Sequence, residues 1–419
     1  MIPSEMKNIK TTTADCCASP GLISVEQAVE KILSQAEPVV QLEQVAILDA
    51  LNRVLAEDPH STIDVPGYDN SAMDGYAVRS EDCLASGTAL PVTQRIPAGQ
   101  VGTFLEPGSA ARIFTGAPVP EGADAVVMQE MCQQDGEHVT INTIVKTGSN
   151  VRRAGEDIAK GGVVLNAGKR LRPQELGLLA SVGLAEFKVK RKLKVATFFT
   201  GDEIVSPGQP LAPGQIYNSN RYTLLGLLQS MGCEVVDLGI VPDTLDATVD
   251  VLKQAASGAD LVITSGGVSV GEEDYVRIAL EKLGELSMWR IAMKPGKPVA
   301  FGKVENALFM GLPGNPVSVF VTFLLFARAL ILKLQGADDY LAKRVSMIAD
   351  FDWPKIKRQE YLRVRLTQKD NQAVAQLYPH QGSGVLSSAS WADGMVEVKI
   401  DNEIKRGDMV DYLSFEGLL

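Results

Sequence analysis

Apolar residues recur at helical spacing near the start of the chain: Val25, Ala28, Val29, Ile32 and Leu33 share one face, and Ser24 stands where an N-cap belongs. Residues 1–20 show no such period and read as a mobile tail. Over residues 62–150 the pattern changes. Short apolar runs (110–114, 125–128, 139–145) are broken every few positions by Gly or Pro, which predicts a β-rich domain with many turns. Residues 151–190 return to mixed structure, with a helix expected near 174–182. Residues 21–61 and 151–189 together are read as one discontinuous mixed α/β domain.

Residues 190–341 alternate apolar strands with amphipathic helices. Strands are expected at 193–199, 234–240, 261–264, 287–291, 299–303 and 308–311, and helices at 219–231, 245–256, 274–283 and 316–334. Near-continuous apolar strands separated by helices indicate a largely parallel, doubly wound sheet covered on both faces. Asn315 and Pro316 suit the N-cap and first turn of the last helix. That helix is the most apolar stretch, but Arg328 and Lys333 interrupt it, so it reads as a buried helix. Residues 342–419 return to period-two alternation, with Tyr361, Arg363 and Arg365 against Leu362, Val364 and Leu366, and with Val396, Val398 and Ile400. They form a small C-terminal β-domain. The fold class is therefore multidomain α/β plus β.

In open α/β sheets, ligands bind beyond the carboxyl ends of the strands. Five loops fall there: Thr200-Gly201-Asp202-Glu203, Pro242-Asp243-Thr244, Ser265-Gly266-Gly267-Val268-Ser269 running on to Glu272-Glu273-Asp274, Lys294-Pro295-Gly296-Lys297, and Pro313-Gly314-Asn315. Each has a plain structural reading as a tight turn, a helix start or a solvated lysine. Together they combine glycine turns that can present N–H groups to phosphate, carboxylates suited to Mg²⁺ beside phosphate, and lysines suited to an oxyanion. A second polar cluster, Pro66 to Tyr76 with Thr115-Gly116-Ala117-Pro118 and Arg152 to Asp157, lies in the β-rich first half of the chain. It reads equally as structured loops or as a site.

The net charge of -11 disfavours nucleic acid and anionic membranes as partners. The five cysteines, among them adjacent Cys16 and Cys17, make no C-x-x-C pair and fit a reducing, cytoplasmic setting. No signal-peptide pattern opens the chain. His60, His138 and His380 lack zinc spacing, and neither a Walker A loop nor a G-x-S-x-G elbow occurs. The residues alone point to a Mg²⁺-assisted, electrostatic site for a phosphate-bearing substrate.

The segments Asp69-Asn70-Ser71-Ala72-Met73-Asp74-Gly75-Tyr76, Thr115-Gly116-Ala117-Pro118, Gly155-Glu156-Asp157, Thr200-Gly201-Asp202-Glu203, Ser265-Gly266-Gly267-Val268-Ser269, Lys294-Pro295-Gly296-Lys297-Pro298 and Gly311-Leu312-Pro313-Gly314-Asn315-Pro316 occur in that order. In combination, from about residue 22 onward, they resemble the molybdopterin molybdenumtransferase family, which includes the gephyrin E domain. The resemblance implies a central domain similar to molybdopterin adenylyltransferase, an elongated four-domain subunit and a homodimer. It implies entry of adenylylated molybdopterin and molybdate with release of AMP, and molybdopterin adenylyltransferase as a candidate protein partner. It implies catalytic roles for Asp74, Thr115, Asp157, Glu203 and Asp274. Substrate contacts fall to Ser265, Gly266, Gly267, Ser269, Lys294, Lys297, Pro313, Gly314, Asn315, Arg358, Arg363 and Ser383, and Mg²⁺ ligation to Asp243 and Asp274. Arg290 departs from the lysine expected in near relatives. The rival readings are a molybdopterin adenylyltransferase, which would not need the β-rich first half, and a non-enzymatic scaffold, against which the intact carboxylates argue.

Overall fold

The structure is a computed structural model that describes residues 22–267 and 275–418. The expected tail, Cys16 and Cys17, and the site candidates Ser269, Glu272, Glu273 and Asp274 lie outside the described residues. The described chain divides into two compact units. One holds residues 22–43, 52–54 and 190–418, the other residues 44–51 and 55–189.

The first unit is built on a seven-stranded sheet. Its order is Leu22–Ile23, Gly284–Ile291, Pro298–Val304, Ala307–Leu312, Leu261–Ser265, Lys194–Thr200 and Glu234–Val241. All five residues of Leu261–Ser265 are buried, which explains the unbroken apolar run of that strand. Helices cover both faces. One face packs Val251, Leu252, Ala255, Val276, Ala279 and Leu280 against Ala196, Phe198 and Phe309. The other packs the run Pro316–Leu334 and helix Val25–Ser34 against Val195, Phe199 and Met310. Each large apolar side chain fully buried here contributes about 1.5–3 kcal/mol. The apolar run is 89% buried and so is a core element.

Four differences from the sequence expectations have physical causes. Strand Pro298–Val304 is antiparallel to both neighbours, so the sheet is mixed. The link from Val304 to Ala307 is a two-residue hairpin with Glu305 at φ 52, too short for a parallel crossover. Helix Val25–Ser34 joins this unit, not the mixed segment near residue 151. Ser24 caps it in a reciprocal pair with Gln27, and its apolar stripe has the largest core to bury against. The run 316–334 contains a π turn at Phe323–Ala327. Asn315 occupies the N-cap position, but its side chain makes no capping bond.

The C-terminal sheet runs Met293–Lys294, Gln359–Lys369, Gln372–Leu377, Val345–Ala349, Met409–Ser414 and Gly394–Val398. It therefore takes one short strand from the carboxyl edge of the α/β sheet. Strand Gln359–Lys369 is covered on both faces: Leu362 and Val364 pack into the small β core, and Tyr361 into the α/β core. Ile400 lies past the end of its strand and is exposed.

The second unit contains a six-stranded sheet in the order Ala125–Met128, Gly75–Val78, Ala110–Ile113, Thr88–Ile96, His138–Ile141 and Cys132–Asp135. Strand Gly75–Val78 alternates between two cores, Tyr76 and Val78 on one side and Ala77 on the other. A separate cluster packs helix Pro173–Ser181 through Leu179 onto Ala50, Leu55, Phe187 and Val189.

Candidate functional site

The topology puts all five suspected loops on the carboxyl edge of the first unit's sheet. The strands ending at Thr200, Val241, Ser265 and Leu312 are mutually parallel, and the strand ending at Ile291 runs the same way through two antiparallel steps.

A direct hydrogen bond joins two of these loops, and two further segments, at Asn220 and Ser383, bond to the second of them and to the helix that follows it. The Gly266 N–H donates to the Leu312 carbonyl at 3.1 Å. Gly266 and Gly267 have φ values of 87° and 64°, so both sit where side chains are disfavoured. A Cβ on Gly267 would lie 2.6 Å from Val276 Cγ2, so this glycine lets the chain pass close to helix Tyr275–Leu283. Beside it, the Asn220 amide donates to the Gly314 carbonyl at 2.6 Å. Val317 N–H donates to the Ser383 carbonyl at 3.0 Å, so the 382–384 loop abuts the start of the Pro316 helix.

Several polar atoms at this edge have no protein partner among the described residues: Ser265 Oγ, Asn218 Nδ2 and Asn220 Oδ1. Ser265 and Asn218 are 5% and 4% exposed. Unpaired buried polar groups cost about 1–3 kcal/mol each, so their grouping beside a glycine loop marks a candidate place for a polar ligand. Asn218 and Asn220 were not singled out from sequence. Their signal was an Asn-x-Asn opening a helix on the carboxyl edge, which reads first as ordinary capping. Asn218 does cap, accepting from Arg221 N–H at 3.1 Å.

Glu203 and Asp243 follow paired strand ends, since Thr200 is in register with Val241. Glu203 is exposed and Asp243 half-buried. Gly201, at φ 145°, lets the Glu203 carboxylate fold back, because a Cβ there would sit 2.5 Å from a carboxylate oxygen. Among the described residues no three acidic, histidine or cysteine side chains gather as a metal cage. That is compatible with Mg²⁺ in its usual form, one or two carboxylates with the remaining positions taken by phosphate and water.

Lys294 and Lys297 are both exposed. Gly296, at φ 103°, presses their loop onto the Pro316 helix, where a Cβ would lie 2.4 Å from Thr322 Cγ2. Lys294 Nζ contacts Glu360 Oε1 at 3.1 Å. Arg358 is half-buried. Arg363 is 1% exposed and gives its guanidinium to Ser388 Oγ at 3.1 Å and to the carbonyls of Tyr361 and Gly382 at 3.2 Å. Burial pushes Arg363 down to about 10. It therefore holds the loop carrying Ser383, and its guanidinium is spent within the protein. Arg290 is exposed on strand Gly284–Ile291, in register with Leu22.

In the second unit, Asp74 and Thr115 meet. One Asp74 oxygen accepts both the Thr115 N–H at 2.8 Å and its hydroxyl at 2.7 Å. The Thr115 N–H, then its hydroxyl, hold Asp74 below the ordinary carboxylate range, and the charge of Arg112 adds to this. Arg112 is fixed by the Gly75 carbonyl at 2.9 Å, by Gln129 at 2.7 Å, and by stacking on Tyr76 and Phe114. Asp157 is exposed and anchored through its own N–H to the Val65 carbonyl at 3.0 Å. Arg153 pairs with Asp69, which also accepts the Ala154 N–H at 2.9 Å.

Three family models match in sequence. They are the MoeA N-terminal region (domains I and II) over residues 23–183, a probable molybdopterin binding domain over 196–333, and the MoeA C-terminal region (domain IV) over 347–415. A molybdopterin molybdenumtransferase of Haemophilus influenzae is 51% identical over 318 residues, 75% of this chain and 78% of that protein. A protein of the same name from Nostoc is 44% identical over 303 residues, 70% of each chain. The crystal structure of a molybdopterin biosynthesis MoeA protein from Pyrococcus horikoshii OT3 superposes with a TM-score of 0.78 at 31% identity, covering 94% of this chain and all of that one.

Proposed function

The chain belongs to the molybdopterin molybdenumtransferase family, and from that premise we propose that its carboxyl-edge loops hold an adenylylated molybdopterin while molybdate joins the dithiolene sulfurs and water cleaves the phosphoanhydride, releasing AMP. It is a transferase of molybdenum-cofactor biosynthesis that inserts molybdenum into molybdopterin. An adenylyltransferase reading is not favoured, since the matches extend over the β-rich first half and the C-terminal region as well.

The observation that carries the finer reading is the joined set of loops at Ser265–Gly267, Pro313–Asn315 and Asn218–Asn220, with polar atoms that have no partner among the described residues. Backbone N–H groups of the glycine turn suit phosphate oxygens, and the free Asn315 side chain is available to a polar edge of the substrate. Lys294 and Lys297 supply positive charge where the oxyanion would sit. Asp243, with Glu203 on the neighbouring strand end, would hold Mg²⁺, which when bound would neutralise charge developing on the phosphoanhydride. Asp74, kept ionised by Thr115, serves as an acceptor or base at the second cluster. The residues position reactants and stabilise charge; none of them is arranged as an activated nucleophile.

Homodimerisation, a reducing cytoplasmic setting and transfer of substrate from a molybdopterin adenylyltransferase belong to the same proposal. Among the described residues, Cys83 and Cys132 are free thiols, as a reducing setting would leave them. The test is AMP release from adenylylated molybdopterin, measured with and without molybdate and Mg²⁺. Release that requires both supports the reading. Release indifferent to molybdate would remove it.

A further inference from the structure

Lys294 is the strongest candidate for the oxyanion, yet lysine is a poor choice for a fixed geometry. Its stem has four rotatable bonds, and ordering it costs about 1.5–2 kcal/mol of rotamer entropy. Something must hold it. The short strand Met293–Lys294 lies parallel to Gln359–Lys369, with Met293 opposite Gln359 and Lys294 opposite Glu360. The Gln359 N–H donates to the Ala292 carbonyl at 2.8 Å and closes this ladder.

Glu360 is a buried acid that the proposed chemistry does not otherwise use. Its side chain is 10% exposed, against 46% for Lys294. One carboxylate oxygen meets Lys294 Nζ at 3.1 Å, and the other accepts the Trp353 indole N–H at 3.1 Å. The nearby Arg363 also feels its charge, but the guanidinium bonds to Ser388 and to backbone carbonyls. Glu360 is thus pinned at one end by Trp353 and offers the other to a single lysine. An ammonium has three donors. One goes to Glu360, and two remain for a ligand.

We propose that Glu360 is the positioning residue for Lys294. By tethering one ammonium N–H from a rigid, indole-anchored strand, it aims the other two at the oxyanion and so couples the C-terminal sheet to the carboxyl-edge site. The inference rests on the reading of Lys294 as an oxyanion ligand. It predicts that a substitution within the C-terminal sheet acts on molybdate through Lys294 alone.

The experiment is a double-mutant cycle on the full chain, with molybdate KM and kcat measured separately. Glu360→Ala is expected to raise the molybdate KM about tenfold with a small change in kcat, as loss of one oriented charged contact would. Glu360→Gln keeps an acceptor oxygen and the shape, and should recover much of the loss. Lys294→Ala should raise the KM further, and adding Glu360→Ala to it should change little more, because the two act as one unit. If the two substitutions multiply independently, or if Glu360→Ala lowers the molybdate KM, Glu360 is not positioning Lys294. If Lys294→Ala alone leaves the molybdate KM unchanged, the oxyanion reading of Lys294 fails, and this proposal with it. Melting guards against misfolding: Glu360→Ala with wild-type melting and a raised KM, recovered by Glu360→Gln, reports positioning, whereas a KM rise that follows a lowered melting temperature overturns it in favour of a damaged sheet.

Discussion

A carboxylate that accepts two hydrogen bonds from one residue is easier to ionise than a free one, and Asp74 is in that position. The sign follows from the lowered value. The ionised form persists as pH falls through the ordinary carboxylate range and is lost only at lower pH. Thr115→Val removes the hydroxyl donor and keeps the N–H. Carbon-detected NMR titration of the Asp74 carboxyl should then show a midpoint moved up toward the ordinary range. At neutral pH the two proteins should show the same ionised Asp74. An unmoved midpoint would mean that the hydroxyl contributes nothing. Arg363 has the opposite character. Its buried guanidinium satisfies three protein acceptors, so Arg363→Met should take a charged donor from Ser388 and from the Tyr361 and Gly382 carbonyls, the last keeping only its bond from the Val385 N–H at 3.3 Å. The expected cost is about 2–4 kcal/mol in denaturant unfolding, larger than its effect on molybdate KM at permissive temperature. Near wild-type stability with a steep KM rise would return Arg363 to the role of direct ligand.

At the scale of elements, Gly296 offers the sharpest packing test. Its φ of 103° and the 2.4 Å approach of a Cβ to Thr322 leave no room for a side chain. Gly296→Ala should destabilise by about 1–3 kcal/mol and displace the lysine loop. Full stability by urea titration would show that the loop has slack. Elements such as helix Leu245–Ala256 and strand Glu234–Val241 were legible in the sequence because apolar period and capping residues agree locally, Thr244 capping the helix as its position implies. The five carboxyl-edge loops were legible for the same reason, since a strand's end fixes which residues come next. What was not legible depended on pairing at long range. Helix Val25–Ser34 lies on the α/β core because the two residues before it pair with a strand more than 260 positions later. Strand Met293–Lys294 is two residues long and carries no pattern of its own. The pairing of Lys294 with Glu360 therefore had no sequence signature, and Glu360 reads along the chain as one polar residue before an alternating strand.

At the scale of the whole molecule, the Asp74 cluster and the carboxyl-edge loops belong to separate compact units of the chain. Family resemblance implies a homodimer, in which a two-fold axis repeats every surface, so a cluster from one copy can serve the site of the other. The prediction is genetic, not geometric. At limiting molybdate, Asp74→Asn and Lys294→Ala should each leave the proposed homodimer nearly inactive. If one site draws Asp74 from one copy and Lys294 from the other, a mixed dimer carries one site with both lesions and one with neither. Co-expression of two differently tagged chains, with purification through both tags, isolates that species. Its activity should reach up to about half of wild type per dimer, by the symmetry of the two sites. Single-tag preparations of each parent provide the inactive baseline. Should verified mixed dimers remain as inactive as their parents, both clusters act within one subunit or Asp74 acts outside the molybdate site. Glu360→Ala, placed on the chain that still carries Lys294, checks the complemented site: the molybdate KM of an active mixed dimer should rise about tenfold, as it does in the single variant.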